Sequence, residues 1–182
     1  MDQLGLVEEA ETLFRRALSM EPSGVYFYAK ALLSWNRPAD AVMLLDAERS
    51  GCSGERMYAE ALLKVDRVED AIEAFSQALR LCGAKAWELR AGLAKARLLS
   101  GDARGEEVVK QLLEERPDAH DLRRVWLWVL SRRGKPIEGT RHLEHLKYAG
   151  VIRPVEVTAL DRARRGLPFQ LPRPTPPTGQ AR

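Results

Sequence analysis

A turn-forming residue is followed five, nine and twelve positions later by a small, a large and another apolar side chain, and this spacing recurs along the chain. Gly5, Ala10, Phe14 and Ala17 show it first, with Pro22 after them, and Asp66, Ala71, Phe75 and Ala78 repeat its offsets. Asn36, Ala41 and Leu45 carry its first part, Gly134, Gly139, Leu143 and Leu146 the whole, and Ser100, Gly105, Val109, Leu112 and Pro117 a further copy. The starting residues lie 30 to 34 apart. A Gly, Asn or Asp ends one helix and lets the next begin. The small residue lets two helices approach closely, and the large one four positions on fills the groove between them. A helix pair of this kind cannot bury its apolar face alone and must stack on neighbours.

These residues resemble the second half of the tetratricopeptide repeat, and the resemblance covers about residues 4–150. Tyr28, Ala29 and Leu32, Tyr58, Ala59 and Leu62, and Trp126, Leu127 and Leu130 match the large-small-large set of that family's first helix, the last with a larger middle residue. The implied fold is all-α, a right-handed α-solenoid of stacked antiparallel helix pairs. The expected repeat domain is 1–165: a lone helix over 4–20, helix pairs over 24–149 and a capping helix over 155–165. Pro38 and Pro136 fall at first-turn positions, where proline is tolerated. In the fourth unit Gly101 argues for one alignment and Pro117 for another one residue away. Residues 166–182 hold five prolines in the sixteen that follow Gly166 and read as a flexible, Pro-rich tail. Because the first repeat begins at its second helix, its open edge invites self-association.

Composition narrows the function classes. Two cysteines, Cys52 and Cys82, are too few for a disulfide framework and lack metal-ligand spacing, which predicts a reduced, cytoplasmic setting. No stretch approaches the roughly 18 apolar residues of a membrane helix, and the first ten residues, with Asp2, Glu8 and Glu9, do not form a secretory signal. The net charge of +3 is uneven: residues 118–182 hold 13 Lys/Arg against 6 Asp/Glu, and residues 1–117 hold 16 against 20. A basic end suits an acidic partner or a nucleic acid.

Catalytic constellations are not found, so no enzyme, cofactor or metal is expected. His142 and His145 lie three apart beside Glu138 and Glu144, a metal-like spacing without further ligands that reads as a solvated helix surface. There is no phosphate loop or serine elbow, and acid pairs such as Glu106/Glu107 point apart on a helix. The resemblance instead implies a concave groove lined by the first helix of each pair, holding another protein's extended or acidic segment. Carried over, its inward positions are Tyr26 and Lys30; Arg56, Glu60 and Lys64; and Arg124, Trp128 and Arg132. In the fourth unit they are Trp87, Arg90 and Arg97 in one alignment, or Glu88, Ala91 and Lys95 in the other. Trp126 reads as packing. The expected function is therefore a scaffold or adaptor. The alternative is a nucleic-acid-associated repeat protein using Arg123/Arg124, Arg132/Arg133 and Arg162/Arg164/Arg165 with Trp128 as a stacking platform.

Overall fold

The computed structural model describes residues 9–16, 24–83 and 86–174, which form ten helices and no strand. Residues 9–16 are helical and are called α1. The pairs follow: α2 (Val25–Ser34) with α3 (Pro38–Glu48), α4 (Gly51–Lys64) with α5 (Val68–Cys82), α6 (Trp87–Ser100) with α7 (Arg104–Glu115), and α8 (His120–Arg132) with α9 (Pro136–Tyr148). A last helix, α10, spans Pro154–Arg164. The fold class is an all-α helical repeat, as the spacing predicts. Of the expected first helix, residues 4–8 and 17–20 lie outside the described residues, as do Pro22 and the chain beyond 174.

The repeat residues are the core. Tyr28, Ala29, Leu32, Ala41, Leu45, Tyr58, Ala59, Leu62, Ala71, Phe75 and Ala78 are buried, as are Val109, Leu112, Trp126, Leu127, Leu130, Leu143 and Leu146. Each large apolar side chain so buried stabilises the fold by roughly 1.5–3 kcal/mol, which makes stacking rather than intrinsic helix propensity the main support. The turns inside the pairs are alike. Asn36, Asp66, Gly101 and Gly134 all take positive φ, and the next residue donates its backbone N–H to a carbonyl five back: Arg37 to Leu32, Arg67 to Leu62, Asp102 to Arg97 and Lys135 to Leu130. This double-bonded helix ending needs a left-handed residue, which Gly supplies freely and Asn or Asp tolerates.

By contact the chain divides into two compact units, one ending at residue 90 and the other covering 91–175. In the first, α1 is fastened to α2: the Phe14 ring stacks on Tyr28 at 5.2 Å, and the Tyr28 hydroxyl donates to Glu11 at 3.0 Å. Arg37 also donates to Glu11, at 2.6 Å. The same device ties α4 to α3, with Tyr58 donating to Asp46 at 2.9 Å.

Three expectations need correction. Cys52 and Cys82 are not lone thiols but form a disulfide, with Cα atoms 5.6 Å apart across 30 residues of sequence. Helices α4 and α5 run antiparallel, so the end of the second returns to the start of the first, a proximity that linear spacing does not display. The inference of a reduced compartment from cysteine usage loses its basis; what stands is that no helix among the described residues is long and apolar enough to cross a membrane.

The fourth unit obeys both competing alignments, one per helix. The turn at Gly101 fixes α6, whose buried Leu89, Leu93, Ala94, Ala96 and Leu98 match Gly54, Tyr58, Ala59, Ala61 and Leu63 of α4. Helix α7 follows Gly105, where an added Cβ would come within 2.9 Å of the Ala94 carbonyl oxygen. Gly105 stands four residues after the positive-φ residue Gly101, where the other pairs have five, although three residues separate the helices in every pair.

The segment after α10 is not loose throughout. Phe169 is only 2% exposed, packed among Leu127, Leu143, Leu146, Ala159, Leu160 and Ala163 with Leu171 against the same cluster. Gly139, expected to let helices approach, instead makes room for this ring, since a Cβ there would lie 2.5 Å from Phe169 Cζ. Arg162 Nε fastens the strap by donating to the Pro168 carbonyl at 2.8 Å.

Candidate functional site

In the first unit two of the expected groove residues meet. Arg56 Nη2 on α4 reaches the hydroxyl of Tyr26 on α2 at 3.4 Å, so residues 30 apart share one face. Arg56 also pairs with Glu60 at 3.7 Å, within one helix. Lys30 is exposed on the same helix as Tyr26. Burial pushes the Lys64 ammonium below its ordinary range, against the opposing pull of Glu60. Phe27, 64% exposed and edge-on to Tyr26 at 5.7 Å, adds an apolar anchor that the repeat pattern did not mark.

In the second unit the expected residues take different parts. Arg124 is occupied by the fold: its Nε donates to Glu156 at 2.8 Å and its Nη2 to the Val151 carbonyl at 2.6 Å, with side-chain exposures of 13% and 5% for the ion pair. Glu156 also accepts the Arg153 backbone N–H at 2.7 Å, so one carboxylate both starts α10 and ties it to α8. Trp126 is buried packing. Trp128 is half-buried, with the guanidinium of Arg132 at 5.8 Å from its ring centre and that of Arg173 at 5.9 Å. Because α6 follows Gly101, Ala91 and Lys95 hold the offsets from the turn that Arg56 and Glu60 hold in α4, which matches the alignment that gave Glu88, Ala91 and Lys95. Arg97 takes the place held by Leu32, Leu62 and Leu130, its carbonyl receiving the turn N–H and its guanidinium 3.8 Å from Asp102.

The histidines are not a solvated surface. Arg123, 6% exposed, donates from Nη1 to His142 Nδ1 at 2.9 Å and from Nη2 to the Pro117 carbonyl at 2.8 Å. An arginine is a donor only, so His142 accepts with Nδ1 and carries its proton on Nε2. Burial first, then Arg123, Arg141 and His145, push the His142 pKa down to about 4. Burial and Arg123 also lower His145, opposed by the Pro117 carbonyl, while the His120 ring lies 6.1 Å away. Among the described residues no group of three or more potential ligands is placed to hold a metal.

This arrangement carries a pH dependence. Unfolded, His142 binds its proton near pH 6.5; folded, near 4. The contribution is present in full above about pH 6.5 and is lost as pH falls toward 4, because the unfolded chain binds the proton first. At about 1.4 kcal/mol per pH unit, and allowing for partial exposure, the second unit should lose about 2 kcal/mol across that window. Urea denaturation at stepped pH checks this. His142→Asn, whose side-chain oxygen can replace Nδ1 as acceptor, should flatten the profile, and an unchanged slope would assign the effect to other groups.

Sequence reading also missed a cavity of about 350 Å³ in the first unit, lined in part by Arg49, Glu55, Tyr58, Arg67, Asp70 and Arg80. Its arginines are engaged: Arg49 with Asp46 and Glu55 and 4.0 Å over the Tyr58 ring, Arg67 with Asp70, and Arg80 with Gln77. The Arg-x-x-Asp spacing of Arg67/Asp70 was a linear trace of it.

No protein-family model matches the chain, and no curated protein does. Among solved structures it is similar to TTC0263, a thermophilic tetratricopeptide-repeat protein of Thermus thermophilus, with TM-score 0.60 and 21% identity over 90% of this chain and 91% of that one. The chain has a tetratricopeptide-repeat-like fold. Similarity to MamA, with TM-score 0.55 and 15% identity over 91% and 95% of the two chains, gives the same architecture. At these identities the likeness shows the repeat fold alone.

Proposed function

We propose that this repeat protein is a non-catalytic scaffold that holds an extended, acidic segment of another protein on the α2–α4 face of its first unit. The contact of Arg56 with Tyr26 carries the reading, because it brings a cationic and an aromatic side chain from two successive first helices together. Lys30, Arg56 and Lys64 would supply charge-assisted hydrogen bonds, and Tyr26 with exposed Phe27 the apolar anchoring. The test is fluorescence anisotropy of a labelled glutamate-rich peptide with a central leucine. Lys30→Glu/Arg56→Glu should weaken binding by roughly tenfold or more, and a circular dichroism melt checks that the variant stays folded, since Arg56 also pairs with Glu60. Equal binding by wild type and variant would refute the reading. Arg124 is left intact, since reversing a charge held against Glu156 would confuse folding with binding.

The nucleic-acid alternative draws less support. Much of the basic end is bonded internally: Arg123 to His142 and Pro117, Arg124 to Glu156, Arg133 to Glu106, Arg162 to Pro168 and Arg164 to Glu144.

A further inference from the structure

The second unit, residues 91–175, carries 17 Lys/Arg against 11 Asp/Glu, a net of +6. On it, two exposed guanidiniums flank one half-buried indole. Arg132 comes from the end of α8, one turn beyond Trp128, and Arg173 from the strap. We propose that Trp128, Arg132 and Arg173 form a second docking point for an acidic, extended partner segment, and that the strap builds one wall of it. The proposal rests on the preceding reading that the partner is acidic.

Several features favour a built site over a chance meeting of side chains. Phe169 is locked against Gly139, and Leu171 packs on the same cluster, so the backbone two residues before Arg173 is anchored. The Arg162 bond to Pro168 fixes the strap's departure from α10. Pro172 and Pro174 on either side of Arg173 restrict its backbone and so reduce the entropy lost on binding. A guanidinium near an aromatic ring retains donors at its edge, so Arg132 and Arg173 can each donate to a carboxylate of an acidic segment beside the ring. An apolar neighbour in the partner would then meet the remaining indole surface. Charge complementarity selects an acidic occupant, and the extended geometry suits the open edge of the strap.

The labelled glutamate-rich peptide, with its glutamine counterpart as control, tests this on the full chain. Arg173→Ala and Trp128→Leu should each weaken binding of the acidic peptide roughly five- to tenfold, with no change for the glutamine peptide. Circular dichroism melts confirm that both variants stay folded; Arg173→Ala, at an exposed position, leaves Phe169 seated. If Arg173→Ala binds as wild type does while Lys30→Glu/Arg56→Glu is weakened, the second docking point is refuted and the first reading stands. If Arg173→Ala binds more tightly, the strap covers Trp128 instead of completing a site, which also overturns the proposal. If the acidic peptide binds no variant and not the wild type, both fall.

Discussion

Phe169→Ala should lower the unfolding free energy of the second unit by about 3–5 kcal/mol, the usual cost of emptying a buried phenylalanine site. The ring is only 2% exposed and touches residues from α8, α9 and α10, so its removal leaves a void between three helices rather than a dent at the surface. Urea denaturation followed by circular dichroism measures it; a loss below about 1 kcal/mol, the level of a surface substitution, would show that the strap merely lies on the unit. Gly139 sharpens the test. Gly139→Ala places a methyl 2.5 Å from the Phe169 ring and should be destabilising alone. Combined with Phe169→Ala, its cost should fall sharply, because the atom it collides with is gone. Such non-additivity is the signature of direct contact.

Reduction of the Cys52–Cys82 bond is expected to cost the first unit about 3–4 kcal/mol, the loop-closure estimate for cross-linking residues 30 apart. The bond closes the open end of the α4/α5 hairpin, whose other end is already closed by the Asp66 turn. Helical content at room temperature should be retained, since Tyr58, Ala59, Leu62, Ala71 and Phe75 stay packed. The expected readout is a melting temperature roughly 10 °C lower for the first unit in dithiothreitol, matched by Cys52→Ser/Cys82→Ser, which dithiothreitol should not shift further. Maleimide labelling of the unreduced native protein should find no thiol. Two labelled cysteines, with identical melts in both conditions, would refute the pairing.

What the sequence displayed and what it hid differ for physical reasons. Helix pairs were legible because each buried position recurs at fixed offsets, and the same offsets located the turns at Asn36, Asp66 and Gly134. The fourth unit was ambiguous because Gly105 follows the Gly101 turn by four residues where the other units have five, which breaks the count between two otherwise regular helices. Arg124 read as a binding residue because its partner, Glu156, lies in α10, beyond the repeats that set the pattern. Cys52 and Cys82 read as isolated because pairing depends on antiparallel return, not on spacing. The strap was hidden twice. Its proline content suggested disorder, and Gly139 already had an explanation as a small helix-contact residue.

The Phe169 strap also decides whether this array can be lengthened. Helix α10 packs on α9, and the strap touches both. A designer adding repeats, or a gene duplication doing the same, cannot simply append a helix after Arg164. The strap would first have to be excised, and a side chain restored at position 139 to meet its replacement. Any helix added there would have to replace the contacts that Phe169 makes with α9 and α10.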